Sequence, residues 1–188
     1  MKYIDEFLKI KELTENYWNN IELKKGTYGF QVQKGTRWKN GLSKNEINEF
    51  ENIMGFKFPE ILEDYYTVMN GVDREQVNVY GNSGESYSYF QNIYSYPDDI
   101  ETIKKLIKWI YEENKVNENE MKNKNISKIF PVFYHRFMLI DHKEHPVLSM
   151  YGNDIIVWAN NIIDLFKKEI GLKGIKINHN IKINHWLD

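Results

Sequence analysis

The chain contains no cysteine, only four prolines in 188 residues, no apolar run long enough to span a membrane and little excess of either charge. Each absence closes a class of function. Without cysteine there is no disulfide, thiolate nucleophile or zinc–thiolate site, so stability has to come from burial, and a reducing cytoplasm suits the chain. A net charge of −2 supplies no basic field to hold a phosphate backbone, so nucleic acid is not expected as a direct ligand. The opening stretch MKYIDEFLKIKELTENYW places Asp5, Glu6 and Lys9 where a signal peptide needs unbroken apolar sequence. The expectation is a soluble, unsecreted protein with no membrane partner. G-x-S-x-G, G-x-x-x-x-G-K and G-x-G-x-x-G are all missing, which leaves serine-triad and phosphate-cradle chemistry without a local signal.

What is present suits one domain. A hydrophobic content of 41% over this length can form a single sizeable core, since domains of this size bury roughly 70% of their unfolded surface. Thirteen tyrosines and five tryptophans fill cores and protein interfaces alike, and they tilt the reading toward a binding role.

Residues 2–20 read as an amphipathic helix, with Ile4, Phe7, Leu8, Ile10, Tyr17 and Trp18 on the apolar arc. Residues 21–41 are broken by glycines and suit extended pieces and turns. Ser43 followed by Glu46 is a capping-box pattern, and Ile47, Phe50 and Met54 supply the buried stripe of that helix. In GFKFPEILEDYYTVMNG, Pro59 fits the first helical position and Asn70-Gly71 reads as the stop. At 100° per residue Glu60, Glu63, Asp64 and Thr67 share one arc, predicted to face water, with Tyr65 half in the core and Tyr66 at its edge. VNVYGNSGESYSYFQNIYSY reads as a strand pair about the turn at 81–84. Pro97 opens a long helix whose stripe runs through Ile100, Ile103, Leu106, Ile107, Ile110 and Tyr111. Trp109 projects opposite that stripe, so either the first helix or the C-terminal tail covers it, or it is an exposed anchor. Residues 112–128 read as a mobile polar loop. IFPVFYH, FMLID, PVLSMYG and DIIVWA are joined by short turns, which predicts an antiparallel meander, and a helix over 160–170 closes at Gly171. The repeated tail IKINHNIKINHWLD allows either a hairpin about Asn178-His179-Asn180 or a single strand.

Chemistry concentrates in DHKEHP. His142 and His145 match neither helical zinc pattern, and Pro146 prevents a helix there, so a solvated turn is favoured over a metal site completed by His135. No metal or other cofactor, and no catalytic residue, is expected.

At GLSKNEINEFENIMGFKFPEILEDYYTVMNG the order of markers resembles the SUKH superfamily, which includes fungal cell-wall assembly regulators and many bacterial toxin-immunity proteins. The markers are the capped helix with Ile47 and Glu51, then Gly55, Phe58-Pro59, Tyr65 and Asn70-Gly71. Pro131, Leu139-Ile140-Asp141, Pro146-Val147 and the helix after Ala159 continue the pattern. Val72 stands where a further glycine is common, and His135-Arg136 replaces a glycine-rich turn. The resemblance spans 38–171, leaving 1–37 as a helical and extended lead-in and 172–188 as a tail packed on the core. It implies a single α+β domain, mainly antiparallel sheet with helices packed against it, that binds a protein without catalysis. The leading expectation is an immunity protein covering a toxin, often a nuclease, with Glu60, Glu63 and Asp64 steering a basic enzyme and Trp109 as anchor. The competing readings are a regulatory scaffold for an endogenous partner and a metal-dependent hydrolase centred on His135, Asp141, His142 and His145.

Overall fold

Ser43 does cap the helix it announces. In the computed structural model, which describes residues 2–80 and 87–187, its side chain accepts the Glu46 N–H while the Glu46 carboxylate takes the Ser43 N–H, opening α2 (Lys44–Met54). Preceding it are α1 (Ile4–Asn19) and β1 (Trp38–Asn40). The α1 stripe is narrower than the sequence suggests. Phe7, Ile10, Thr14 and Trp18 are buried, whereas Leu8 and Tyr17 are exposed.

The chain turns from α2 into α3 (Glu60–Val68) around a buried carboxylate, with Pro59 as N-cap one residue ahead of its expected place. Glu51 accepts the Phe58 N–H at 2.7 Å and the Lys57 ammonium at 2.7 Å, fixing the turn from inside. Tyr65 and Tyr66 are both fully buried, so the apolar face of α3 is broader than its periodicity implies.

Asn70-Gly71 does not stop α3. The chain runs directly into β2 (Met69–Val72), with Met69 already extended at φ −141° and ψ 131°. Leu42 N–H takes the Tyr66 carbonyl at 2.7 Å, so a neighbouring segment satisfies one of the helix's terminal acceptors. That approach explains Gly41, where a β-carbon would lie 1.9 Å from the Thr67 carbonyl oxygen. The Asn70 amide instead clamps Tyr96, donating to its carbonyl at 2.7 Å and accepting its N–H at 2.8 Å. Gly71, at φ +69°, lies against Ser95, to which a β-carbon would come within 2.7 Å.

Strands β1 and β2 pair antiparallel, as do β3 (Gln76–Asn78) and β4 (Ser88–Phe90). The turn expected between β3 and β4 lies outside the described residues. Next comes α4 (Ile100–Glu113), then α5 (Glu118–Asn123), a short helix inside the stretch expected to be all loop, where Asn117 caps by accepting the Glu120 N–H. The predicted meander is formed by β5 (Ile129–Phe133), β6 (Arg136–Leu139), β7 (Val147–Tyr151) and β8 (Asp154–Ala159), antiparallel throughout. It is followed by α6 (Ile162–Glu169), capped by Asn161, with Gly171 directly after it.

Each face of this four-stranded sheet contributes to a buried cluster, although the β7–β8 end of one face is open at Tyr151 and Ile156. Met138, Val147 and Ala159 point into a cluster with Phe7, Phe50, Tyr65 and Phe166. Phe137, Leu148 and Met150 point into a second cluster with Ile110 and the tail residues Ile183 and Trp186. The tail is neither hairpin nor single strand: a turn at 179–180 leads to one bridge between Ile183 and Leu187. Trp186 anchors it, stacking on Tyr111 and donating its indole N–H to the Ser127 carbonyl at 2.9 Å. The protein is thus a single α+β domain of six helices and eight strands in small antiparallel sheets among the described residues. No described helix is long and apolar enough to cross a membrane.

Candidate protein-binding surface

The residues first assigned to partner binding are spread over two regions and have structural duties. Asp64 is a correction: it does not face water but is 2% exposed, accepting the Tyr3 N–H at 2.8 Å where α1 begins. A carboxylate there compensates the positive end of the α1 dipole. Glu63 is ion-paired with Lys44 at 3.0 Å, and exposed Glu60 accepts the Lys2 N–H at 3.2 Å. Trp109 is half-buried. Tyr151, the last residue of β7, packs on it with ring centroids 5.3 Å apart, and Trp109 also borders the apolar cluster that includes the tail residues Ile183 and Trp186.

The hydrolase centre is not assembled either. His135 lies in the β5–β6 turn, whereas Asp141, His142 and His145 lie in the β6–β7 turn, and β6 separates the two by roughly 15 Å at 3.3 Å per residue. Asp141 is held by Lys128, and His145 Nδ1 meets the Leu139 carbonyl at 3.1 Å. Among the described residues no group of three or more His, Asp or Glu side chains is placed to hold a metal ion.

A different constellation forms where the meander emerges from beneath the helices. Phe90, Phe30, Tyr134, His135, Tyr151 and Trp109 make an unbroken relay of ring contacts, with successive centroids 6.1, 5.7, 4.4, 6.0 and 5.3 Å apart. Tyr151 is 62% exposed, and Tyr87, Tyr89 and Phe90 are open on and beside β4. The relay borders a cleft of about 310 Å³ whose lining includes Trp18, Phe30, Ile93, Phe133, Phe166 and Glu169. Burial, reinforced by the neighbouring Arg136 charge, pushes the His135 imidazole down to about 4, so the ring is neutral and apolar in character near pH 7.

Beside the relay, strand pairing aligns Arg136 with Ser149 and Ser149 with Ile156. Arg136 donates to Ser149 Oγ at 2.6 Å and stacks on the Trp158 indole, 3.6 Å from its centroid. Lys168 sits 3.4 Å from the same centroid and must occupy the opposite face, because two groups that close on one side would overlap. Trp158 donates its N–H to Glu169 at 3.1 Å. Trp158 is the residue a bulge adds to β8 opposite β7, which turns its ring toward α6. Desolvation pulls the Arg136 guanidinium down to about 10, opposed by Glu169, and leaves it charged at neutral pH.

No family model matches the chain, and no curated protein matches it significantly. The surface is therefore read from its own geometry. Sequence spacing missed it because its rings come from five separate segments. The aromatic content was the available signal, together with His135-Arg136 standing where a tight glycine turn was expected.

Proposed function

We propose that the chain is a non-enzymatic, cytoplasmic protein-binding module that acts by covering a partner, and that the ring relay from Phe90 to Trp109 is its docking surface. The single observation that carries this reading is the continuity of the relay. Exposed aromatics scattered singly are ordinary, but here exposed Phe90 and Tyr151 are joined through half-buried Phe30, Tyr134 and His135 into one partly open band flanked by arginine, which has the composition of an interface core. Such rings supply contact area at low entropic cost, and a few of them carry most of the affinity of an interface. The resemblance to the SUKH superfamily supports a toxin as the partner and immunity as the outcome.

The test is calorimetric titration against each toxin encoded beside the gene. One of them is expected to bind, and Tyr151→Ala and Phe90→Ala are each expected to weaken it by about 1–2 kcal/mol while leaving the thermal midpoint nearly unchanged. Binding by none of the neighbours, or undiminished binding by both variants, overturns the reading.

A further inference from the structure

Arg136 and Lys168 differ from most cations that pair with acids on this surface. Among the described residues neither makes an ion pair, although ten pairings join other side chains. Glu169 acts on both only at longer range, its own oxygen being taken by the Trp158 N–H. The guanidinium is under-satisfied as well. Nη1 is bonded to Ser149, while Nε is buried with no acceptor. The Ser149 hydroxyl accepts from Arg136, which leaves its own proton to donate. Packing has fixed all three polar groups. Stacking on Trp158 holds the guanidinium plane, the Trp158 carbonyl takes the Lys168 ammonium at 3.1 Å, and strand register sets Ser149 beside Arg136.

Two cations on either side of the Trp158 ring and a hydroxyl, all held in place with Glu169 acting on the cations only at longer range, keep an excess of positive charge and form a receptor for a negatively charged oxygen pair. The flanks indicate where that pair comes from. Ile156 and Tyr151, both exposed, lie next to Ser149 on the same face of β7 and β8, and the ring relay passes through His135, adjacent to Arg136. A small free anion gains nothing from such apolar flanks, whereas a protein surface buries them.

We infer that the Arg136–Trp158–Lys168 stack, with Ser149, receives a side-chain carboxylate from an acidic segment of the protein partner. This rests on the reading of the relay as a protein-docking surface and adds the partner's charge to it. The site is a local positive point on a chain whose net charge is −2. It selects partners that present an acid beside apolar surface, so it sets specificity as well as affinity.

The probe is an N-acetylated, amidated hexaglutamate peptide, followed by the NMR shift of the Trp158 indole N–H, which Trp158→Phe assigns. A saturable shift is expected with hexaglutamate and none with hexaglutamine. Arg136→Gln is expected to weaken the hexaglutamate response by about tenfold or more, the loss of one charge-assisted bond. Lys168→Gln and Ser149→Ala are expected to weaken it less, and they keep the test open if Arg136→Gln does not fold. No shift with hexaglutamate, a shift indifferent to all three substitutions, or an equal response to inorganic phosphate at matched ionic strength overturns the inference. The two readings fail separately. A toxin bound through Tyr151 with no hexaglutamate response removes only the carboxylate receptor, whereas an Arg136-dependent response with no toxin bound removes only the immunity reading.

Discussion

At the scale of single residues, a side chain's role is decided by what lies across from it. Glu51 and Asp64 have the helical spacing of solvated acids, yet each is buried on backbone N–H groups, one of them supplied by Tyr3, 61 positions away. No local pattern carries that information. The site was illegible for the same reason: of its rings, Trp109 stands out by its position opposite its own helix's apolar stripe and His135 only as a candidate metal ligand. His135 provides the residue-scale prediction. Its folded pKa of about 4 lies below the ordinary value of 6.5, so between those pH values the unfolded chain binds a proton that the folded chain refuses. Stability therefore falls as pH drops through that window and gains no further loss from this group below it. Allowing for solvent access at the turn, the loss is about 1–2 kcal/mol. Urea unfolding of His135→Asn alongside the parent at pH 7.0, 5.5 and 4.5 is expected to show a shallower decline in the variant. Parallel declines would mean that the imidazole is protonated in the folded protein.

At the scale of elements, the expectations that hold rest on local signals, although the Asn117-capped α5 is local too and falls in a stretch expected to be loop. The capping box at Ser43, the meander over 129–159 and the end of α6 at Gly171 each depend on residues within a few positions of one another. Two of the failures share a non-local cause. Asn70-Gly71 has the composition of a helix terminator, but the helix ends because Leu42 takes its carbonyl and β1 pairs with the strand that follows. The tail's isoleucines have strand spacing, but burial of Ile183 and Trp186 against α4 and the sheet takes precedence over pairing. Asn70 separates the two accounts of its segment. As a terminator its replacement by alanine would cost a few tenths of a kcal/mol. As a clamp on Tyr96 it leaves a buried N–H and carbonyl unpaired, and Asn70→Ala is expected to cost about 2–3 kcal/mol in urea unfolding. A cost below about 0.5 kcal/mol would restore the terminator.

At the scale of the whole molecule, the four-stranded sheet is the wall that two apolar clusters share. Successive residues of β6 serve opposite sides: Met138 packs among the rings of α2 and α3, and Leu139 packs with Ile110 and Trp186. Leu106 and Ile107 of α4 touch both clusters, closing the structure around the sheet edge. Neither cluster can be lost without exposing one face of the same strands, so the halves are expected to unfold together even though α4, α5 and the tail lie on one side. Met138→Ala and Leu139→Ala each remove a fully buried side chain and are expected to cost about 2–4 kcal/mol. The decisive measurement is whether tryptophan fluorescence and far-ultraviolet circular dichroism give one coincident transition in the parent and in both variants, with an unchanged denaturant slope. Trp18, Trp38 and Trp158 report on the first cluster and Trp109 and Trp186 on the second, so substituting both Trp109 and Trp186 with phenylalanine isolates the first cluster's signal. If Leu139→Ala split the transition, with α4 and the tail melting ahead of α2 and α3, the second cluster would be an independent layer. The relay would then join two parts of unequal stability, because Trp109 belongs to α4 while Phe90 and Phe30 do not. A single transition instead gives the relay a rigid base along its length, and a docking surface that is ordered before its partner arrives loses less entropy on binding.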